Sequence, residues 1–482
     1  MAENPSPPFF VSTYSKLPES LFRTAEPKPV AAPRAILLND ALASKIGIST
    51  QWLHSADALN ALVGNQVLPE IPRIAMAYAG HQFGNFVPSL GDGRAVLLGE
   101  INGYDLHLKG SGRTAFSRGG DGRATLSAML REYIVSEAMA ALTIPTTRSL
   151  AVIETGEAVP REKMERGAVL TRVAKSHVRV GTFQYLAARG QEAAIQALVD
   201  HELARNFPGS PEGPARFIWF LAQVIARQAA LIAKWMCVGF IHGVMNTDNM
   251  QVAGETIDYG PCAFMDAFDP LKTFSSIDQN GRYAWDKQPV VALWNLTRLA
   301  EAMLPLFAPS AEAAIALAEA ELKQFMPQFE TAFETGMAAK LGFAEVVEGD
   351  SEFIALTLQN MANSKIDFTV FFSVLTEAVE LNYDTKIVQF FNNANAATQW
   401  LETWRKRLGS SSLSLMKTAN PIFIPRNHRV EEALAAANQD DLEPLRRLLK
   451  VLSNPFEKHQ GDEELAFPPT PNEEVLQTFC GT

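Results

Sequence analysis

The spacing of apolar residues changes period along this chain. Residues 95–98 form a continuous apolar run, Asn102-Gly103 supplies a two-residue hairpin turn, and Asp105-Leu106-His107-Leu108-Lys109 alternates polar and apolar positions as a strand does. A helical period follows over 125–142, and the region 84–179 otherwise carries β-like runs. From about Thr182 the period is helical. It predicts helices at 191–204, 215–235 and 290–304, the last bracketed by Pro289 and Pro305. Further helices are expected at 311–331 and 353–365, and a final pair at 430–437 and 442–451. Residues 1–35 are Pro-rich and read as irregular, and residues 36–70 hold short helical stretches at 39–46 and 56–62. Residues 455–482 are polar and Pro-containing and read as an extended tail. No internal repeat is visible. The chain therefore reads as α+β: an extension (1–70), a small β-rich portion (71–181), a larger helical portion (182–454) and the tail.

Composition narrows the class. With 47% hydrophobic and 20% charged residues, the chain has ample core for a two-lobed catalytic unit. A net charge of −11 argues against bulk nucleic-acid binding, which needs a basic face. It does not argue against a nucleotide, because local Arg and Lys clusters set the field in a cleft. The N-terminus lacks the basic and apolar segments of a signal peptide. The most apolar run, 217–241, is interrupted by Arg227 and Lys234, each costing about 2.5–3.5 kcal/mol at a bilayer centre. A buried helix is expected there, with no membrane partner and a cytoplasmic location. Cys237, Cys262 and Cys480 form neither a disulfide framework nor a metal-binding spacing.

The chemistry concentrates at His242-Gly243-Val244-Met245-Asn246-Thr247-Asp248-Asn249-Met250, followed by Asp258-Tyr259-Gly260. Protein kinases use a related layout, H-R-D-x-x-x-x-N and then D-F-G, in which the Asn and the second Asp hold Mg²⁺ against phosphates. His242 and Asn249 keep that spacing. The kinase base position is Val244, so Asp248 is the nearby carboxylate able to replace it. Upstream, Leu90-Gly91-Asp92-Gly93-Arg94 precedes the hairpin that carries Lys109, as a nucleotide loop precedes the phosphate-pairing lysine. Glu132 or Glu137, on the helix over 125–142, is expected to pair with Lys109. Together these features resemble a protein-kinase site, and that resemblance implies a bilobal protein-kinase-like fold with a β-rich N-lobe, a helical C-lobe and added extensions.

Further motifs make the resemblance specific. Lys109-Gly-Ser-Gly-Arg113-Thr114, Ser117-Arg118-Gly-Gly-Asp121-Gly122-Arg123, Ser136-Glu137-Ala-Met139, Ile144-Pro-Thr-Thr-Arg148, Ser176-His177-Val-Arg179-Val-Gly181 and the 242–250 segment resemble the selenoprotein O family from about Phe9 onward. The resemblance implies a kinase-like protein adenylyltransferase that binds ATP inverted and moves AMP onto side-chain hydroxyls of protein substrates. It implies ATP contacts from Gly91, Gly93, Arg94, Lys109, Asp121, Gly122, Arg172, Arg179 and Asp258. It also implies Mg²⁺ or Mn²⁺ on Asn249 and Asp258, and Asp248 as the base. The arginines Arg94, Arg113, Arg118, Arg123, Arg172 and Arg179 suit this pose, since guanidinium forks bind phosphate bidentately. Arg172 and Arg179 are expected to face the terminal phosphates rather than a protein carboxylate. The family commonly carries a Cys where this chain has Phe274, which breaks the expected redox partnership with Cys480. Cys262 reads better as a small buried residue.

Other histidines read as structural. His81 orders its glycine-flanked loop, His107 packs on its strand, His177 positions Arg179, and His242 anchors its loop. Two other functions remain open at this point: a kinase acting on protein or small-molecule hydroxyls, and an inactive nucleotide-binding scaffold. A monomer is expected.

Overall fold

The computed structural model describes residues 7–66 and 71–479. Its β-rich part is an antiparallel sheet of eight strands. Neighbours run in the order Phe22–Thr24, Ile74–Met76, Ala95–Ile101, Tyr104–Lys109, Met164–Ala174, Arg148–Pro160, Arg34–Leu38, and Ala124–Thr125 pairs with Met164–Ala174. The predicted hairpin is present, with Asn102 (φ 48°) and Gly103 (φ 81°) both left-handed, as a two-residue turn matched to strand twist requires. Phe22–Thr24 and Arg34–Leu38 belong to the expected N-terminal extension yet sit in this sheet, so that boundary does not separate two units. The outer face of the sheet buries Leu98, Leu106 and Leu108 against the helices Asp40–Lys45, Thr50–Leu53 and Ala56–Val63.

The helix Leu126–Ala141 starts where Thr125 accepts the Ala128 amide, a side-chain N-cap. It packs on the sheet. It also packs on the last helix pair, Asn427–Asn438 and Glu443–Ser453, through Leu130, Ile134, Val430, Leu434 and Leu448. The helical period alone groups that pair with the helical portion. The structure instead sets it beside the sheet, where Asp440 also pairs with Arg34 and Arg166.

Helices fill the rest: Glu192–Asn206, Ala215–Cys237, Gln288–Met303 and Asp350–Ser364 lie close to their expected spans. Ala215–Cys237 is long and apolar enough to cross a membrane, but Phe220, Leu221, Val224 and Ile225 are buried among other helices. The single helix expected over 311–331 is two, Ala311–Leu322 and Phe325–Leu341. Pro327 explains the break. A proline fits the first turn of the second helix, where its missing N–H has no partner to lose, but not the interior of a continuous one. Phe368–Leu381, Ala394–Arg407 and Ser412–Ala419 have no counterpart among the expected elements. The first buries Phe368, Phe371, Phe372, Leu375 and Ala378 on one face, and its start is capped by Asp367 accepting the Val370 amide.

Candidate active site

Strand register builds the buried floor of the site. Lys109 and His107 lie two residues apart and share one sheet face. Arg172 sits directly opposite His107 on the neighbouring strand, so all three side chains point the same way. Lys109 and Arg172 converge on two carboxylates. Lys109 Nζ lies 2.6 Å from Glu132 Oε2 and 2.6 Å from Asp258 Oδ1. Arg172 Nη1 lies 2.8 Å from Asp258 Oδ1 and 3.2 Å from Glu132 Oε1. Arg179 Nη1 reaches Asp258 Oδ2 at 3.1 Å and the Asp248 carbonyl at 2.7 Å. Burial alone would raise the Asp258 pKa, but Lys109, Arg172 and Arg179 outweigh it and hold the carboxyl well below its usual range. Asp258 takes a left-handed backbone, φ 64°, which is uncommon outside glycine.

Glu132 is thus the lysine's partner. Glu137 instead binds Arg148, the Ser149 amide and Asn39. Arg172 and Arg179 both pair with Asp258, itself one of the residues expected at the nucleotide and the metal. A buried guanidinium needs a nearby counter-charge, and sequence does not say which acid supplies it.

Behind the floor, Asp92 accepts the Met76 amide and contacts His107 Nε2 at 3.0 Å. Burial would raise its pKa, but His107 and Arg179 hold it down to about 2. Arg172 Nη2 faces His107 Nδ1 at 3.2 Å. A guanidinium only donates, so Nδ1 accepts and Nε2–H donates to Asp92. Strand alternation suggested packing for His107. It is instead a neutral bridge between Asp92 and Arg172, and burial keeps its pKa low.

The loop that carries Asp248 is held from several sides. Phe240–Ile241 pairs with Ala263–Phe264. His242 stacks on Trp235 and lies 2.9 Å from the Ile257 carbonyl through Nε2, the anchoring role expected of it. Asn246 accepts from Phe83 N and Tyr283 Oη. Asn295 donates to the Met245 carbonyl. Asp248 itself is 7% exposed. Its Oδ1 has no hydrogen-bond partner among the described residues, and Gln82 approaches Oδ2 at only 3.4 Å. Burial, partly opposed by its own backbone amide and Arg179, pushes the carboxyl up to about 6. An orphaned buried acceptor marks a group kept for chemistry rather than for packing.

The roof is the glycine loop and the segment after Lys109. Gly91 has φ +67°, and a Cβ there would sit 2.3 Å from the Phe116 ring, so only glycine fits. Gly122, with φ +72°, lies as close to the Gly112 backbone. Asp121 pairs with Arg161 at 2.8 Å and accepts the Arg123 amide. Arg161 carries no sequence signal of its own, because it lies 40 residues from its partner and outside any motif.

Gly91, Gly93, Arg94, Lys109, Asp121, Gly122, Arg172, Arg179, Asp248, Asn249 and Asp258 all line one cleft of about 520 Å³, together with Arg118, Arg123 and Arg161. Arg113 is not among its lining residues. Asn249 Nδ2 donates to the Val244 carbonyl at 3.0 Å, which orients the amide and leaves its oxygen as acceptor. Among the described residues no cluster of three His, Cys, Asp or Glu could hold a metal on its own. The Asn249 amide oxygen and the Asp258 carboxylate are hard donors. They fit a Mg²⁺-type ion that takes one or two protein oxygens and draws the rest from water and phosphate.

His177 bonds Asp105, and its ring packs at a tilt against His107. His81 is fixed by its amide donating to Thr247 Oγ1 and by its ring packing on Phe86 and Trp294. Cys262 is buried, as expected. Cys480 lies outside the described residues. Phe274 is buried, and its carbonyl accepts the Thr478 amide at 2.7 Å, so the tail meets this segment without a cysteine there.

Known proteins resemble this chain over nearly its whole length. The family described as "Protein adenylyltransferase SelO" matches residues 8–453. A protein of Rhodopseudomonas palustris (strain BisB5), named protein nucleotidyltransferase YdiU, is 51% identical over 486 residues, covering 98% of this chain and 99% of its own. Proteins of the same name from Bradyrhizobium sp. (strain BTAi1) and Nitrobacter hamburgensis are 52% and 50% identical, each over 98% of this chain. The chain belongs to the SelO family of protein adenylyltransferases and is a nucleotidyltransferase.

Proposed function

We propose that the cleft binds ATP with its β- and γ-phosphates at the buried cations and transfers AMP to a Ser, Thr or Tyr hydroxyl of a protein. The β-rich and helical halves then act as the two lobes of a kinase-like enzyme that works as a cytoplasmic monomer. One observation carries the reading: the residues expected to contact nucleotide, metal and acceptor line a single cleft, Asp248 among them.

The acceptor oxygen attacks the α-phosphorus, the bond from that phosphorus to the bridging oxygen of the β-phosphate breaks, and pyrophosphate leaves. The hydroxyl proton passes to the Asp248 carboxylate, which is ionised above about pH 6. Lys109, Arg172 and Arg179 stabilise charge on the departing pyrophosphate from fixed, largely dehydrated positions. Asn249 and Asp258 would hold Mg²⁺ or Mn²⁺, which when bound would neutralise phosphate-oxygen charge as a Lewis acid. Gly91, Gly93, Arg94, Asp121 and Gly122 line the roof over the nucleotide. Val244 at the kinase base position weighs against γ-phosphoryl transfer. Incubation of the protein and a cell extract with ATP labelled at either the α or the γ phosphate tests the proposal. Protein-bound label should come from α; label from γ alone would make the chain a kinase, and label from neither would make it a scaffold.

A further inference from the structure

The rim of the cleft carries a feature that phosphate binding does not require. Ile277 and Phe479 line the cleft and are 59% and 67% exposed. They lie on two segments far apart in sequence and tied together by the backbone. Thr478 pairs with Ser275, donates its amide to the Phe274 carbonyl at 2.7 Å and accepts the Ser276 amide at 3.2 Å. Its hydroxyl donates to the Pro261 carbonyl at 2.6 Å, just past the Asp258-Tyr259-Gly260 turn. Ser275 and Thr478 are buried, so the junction is packed rather than loose. Lys272 and Glu474 pair across the same two segments. Leu271 and Leu476, 66% and 62% exposed, lie on them as well.

Four large apolar side chains therefore face solvent on one strap beside a cleft whose floor is ionic. Large exposed apolar side chains at the mouth of a cleft suit contact with the apolar groups of a partner. A nucleotide base in the cleft could cover only Ile277 and Phe479. A polypeptide lying along the strap would cover Leu271 and Leu476 too. The acceptor hydroxyl must also reach Asp248 through the cleft that Ile277 and Phe479 border. We propose that the strap is the docking lip for the protein substrate, and that it selects an extended segment with apolar side chains next to the acceptor hydroxyl. This rests on the adenylyl-transfer reading above.

The test uses two peptide pools with Ser, Thr or Tyr acceptors. The residues flanking the acceptor are Leu and Val in one pool, and Ser and Glu in the other. Both are offered to the full chain with ATP labelled at the α-phosphate. The apolar pool should be labelled with about tenfold or higher kcat/KM, as burial of a large apolar side chain predicts. That preference should vanish in Ile277→Asp/Phe479→Asp. It should also vanish in Leu271→Asp/Leu476→Asp, whose residues do not line the cleft. ATP affinity and the thermal transition should hold in both variants. Equal labelling of the two pools by the unaltered chain would overturn the lip. Loss of ATP affinity in the first variant with peptide preference intact would reassign Ile277 and Phe479 to the nucleotide base. If α-label reached no peptide and no protein, the transfer reading itself would fall, a result distinct from unselective labelling.

Discussion

Replacing Arg172 with lysine separates charge from geometry at the floor of the site. Arg172 is 2% exposed and spans three acceptors: Asp258 Oδ1 at 2.8 Å, Glu132 Oε1 at 3.2 Å and His107 Nδ1 at 3.2 Å. Lysine keeps the charge but concentrates it on one nitrogen, which cannot cover three directions at once. Asp258 would keep Lys109 and Arg179, so the fold should survive. The lost fork should appear in binding. If Arg172 holds a terminal phosphate, one charge-assisted contact is worth about 1.5–3 kcal/mol, or roughly 10–150-fold in the Kd for ATP. AMP lacks the β- and γ-phosphates, so its Kd should barely move. Titration calorimetry of ATP and AMP against both proteins, with thermal unfolding run in parallel, reads all of this. If AMP affinity fell as far as ATP affinity, Arg172 would be reading the α-phosphate or the nucleoside, and the inverted pose would be wrong. Unchanged affinity for both would reduce Arg172 to a partner of Asp258.

Asp248→Ala should lower AMP transfer by about 10²–10⁴-fold with ATP binding retained, and near-normal turnover in a labelled-transfer assay would remove Asp248 as the base. Gly80→Ala should act on the same group from behind: its Cβ would sit 2.3 Å from Asp248 Oδ1 and 2.6 Å from Leu90 Cδ1. Displacing the carboxylate in this way should slow transfer roughly 100-fold, and turnover equal to that of the unaltered chain would show that the base position is not critical. Away from the site, burial among Phe368 and Phe372 pulls the Lys340 pKa down from 10.5 to about 8. The unfolded chain therefore binds the extra proton between about pH 8 and 10.5, so this lysine lowers stability below pH 8 and the penalty fades as pH rises through that window. Lys340→Met should stabilise the fold at pH 7 by about 1 kcal/mol, the burial penalty less the lost ring contacts and the bond to the Ala419 carbonyl. Urea unfolding at pH 7 and pH 10 should show that gain shrinking, and an equal gain at both would refute the titration argument.

What could be read in the sequence follows the range over which each feature is encoded. The hairpin, the helix over Leu126–Ala141 and the long helix Ala215–Cys237 are written in local periods and turn residues, and they appear where those signals lie. The cleft residues were legible because motif spacing transmits chemistry: Lys109, Asn249 and Asp258 occupy fixed offsets within short segments. Choosing Glu132 over Glu137 needed the helix rotation relative to the sheet. Both acids sit on the helix, but only the first meets the face shared by His107, Lys109 and Arg172. His107 looked like packing because alternation reveals which face a residue occupies, not whether Asp92 and Arg172 wait there. The strap is the extreme case. Thr478 reaches Pro261 across 217 residues, a span that no local period records and that only the family's pairing of the Phe274 position with Cys480 hints at. Ile277 and Phe479 look unremarkable in their own segments, and only the backbone junction at Ser275 and Thr478 brings them to the cleft that holds Asp248. The groups proposed for the chemistry are thus spelled out locally, whereas those proposed to choose a protein partner emerge only once distant segments meet.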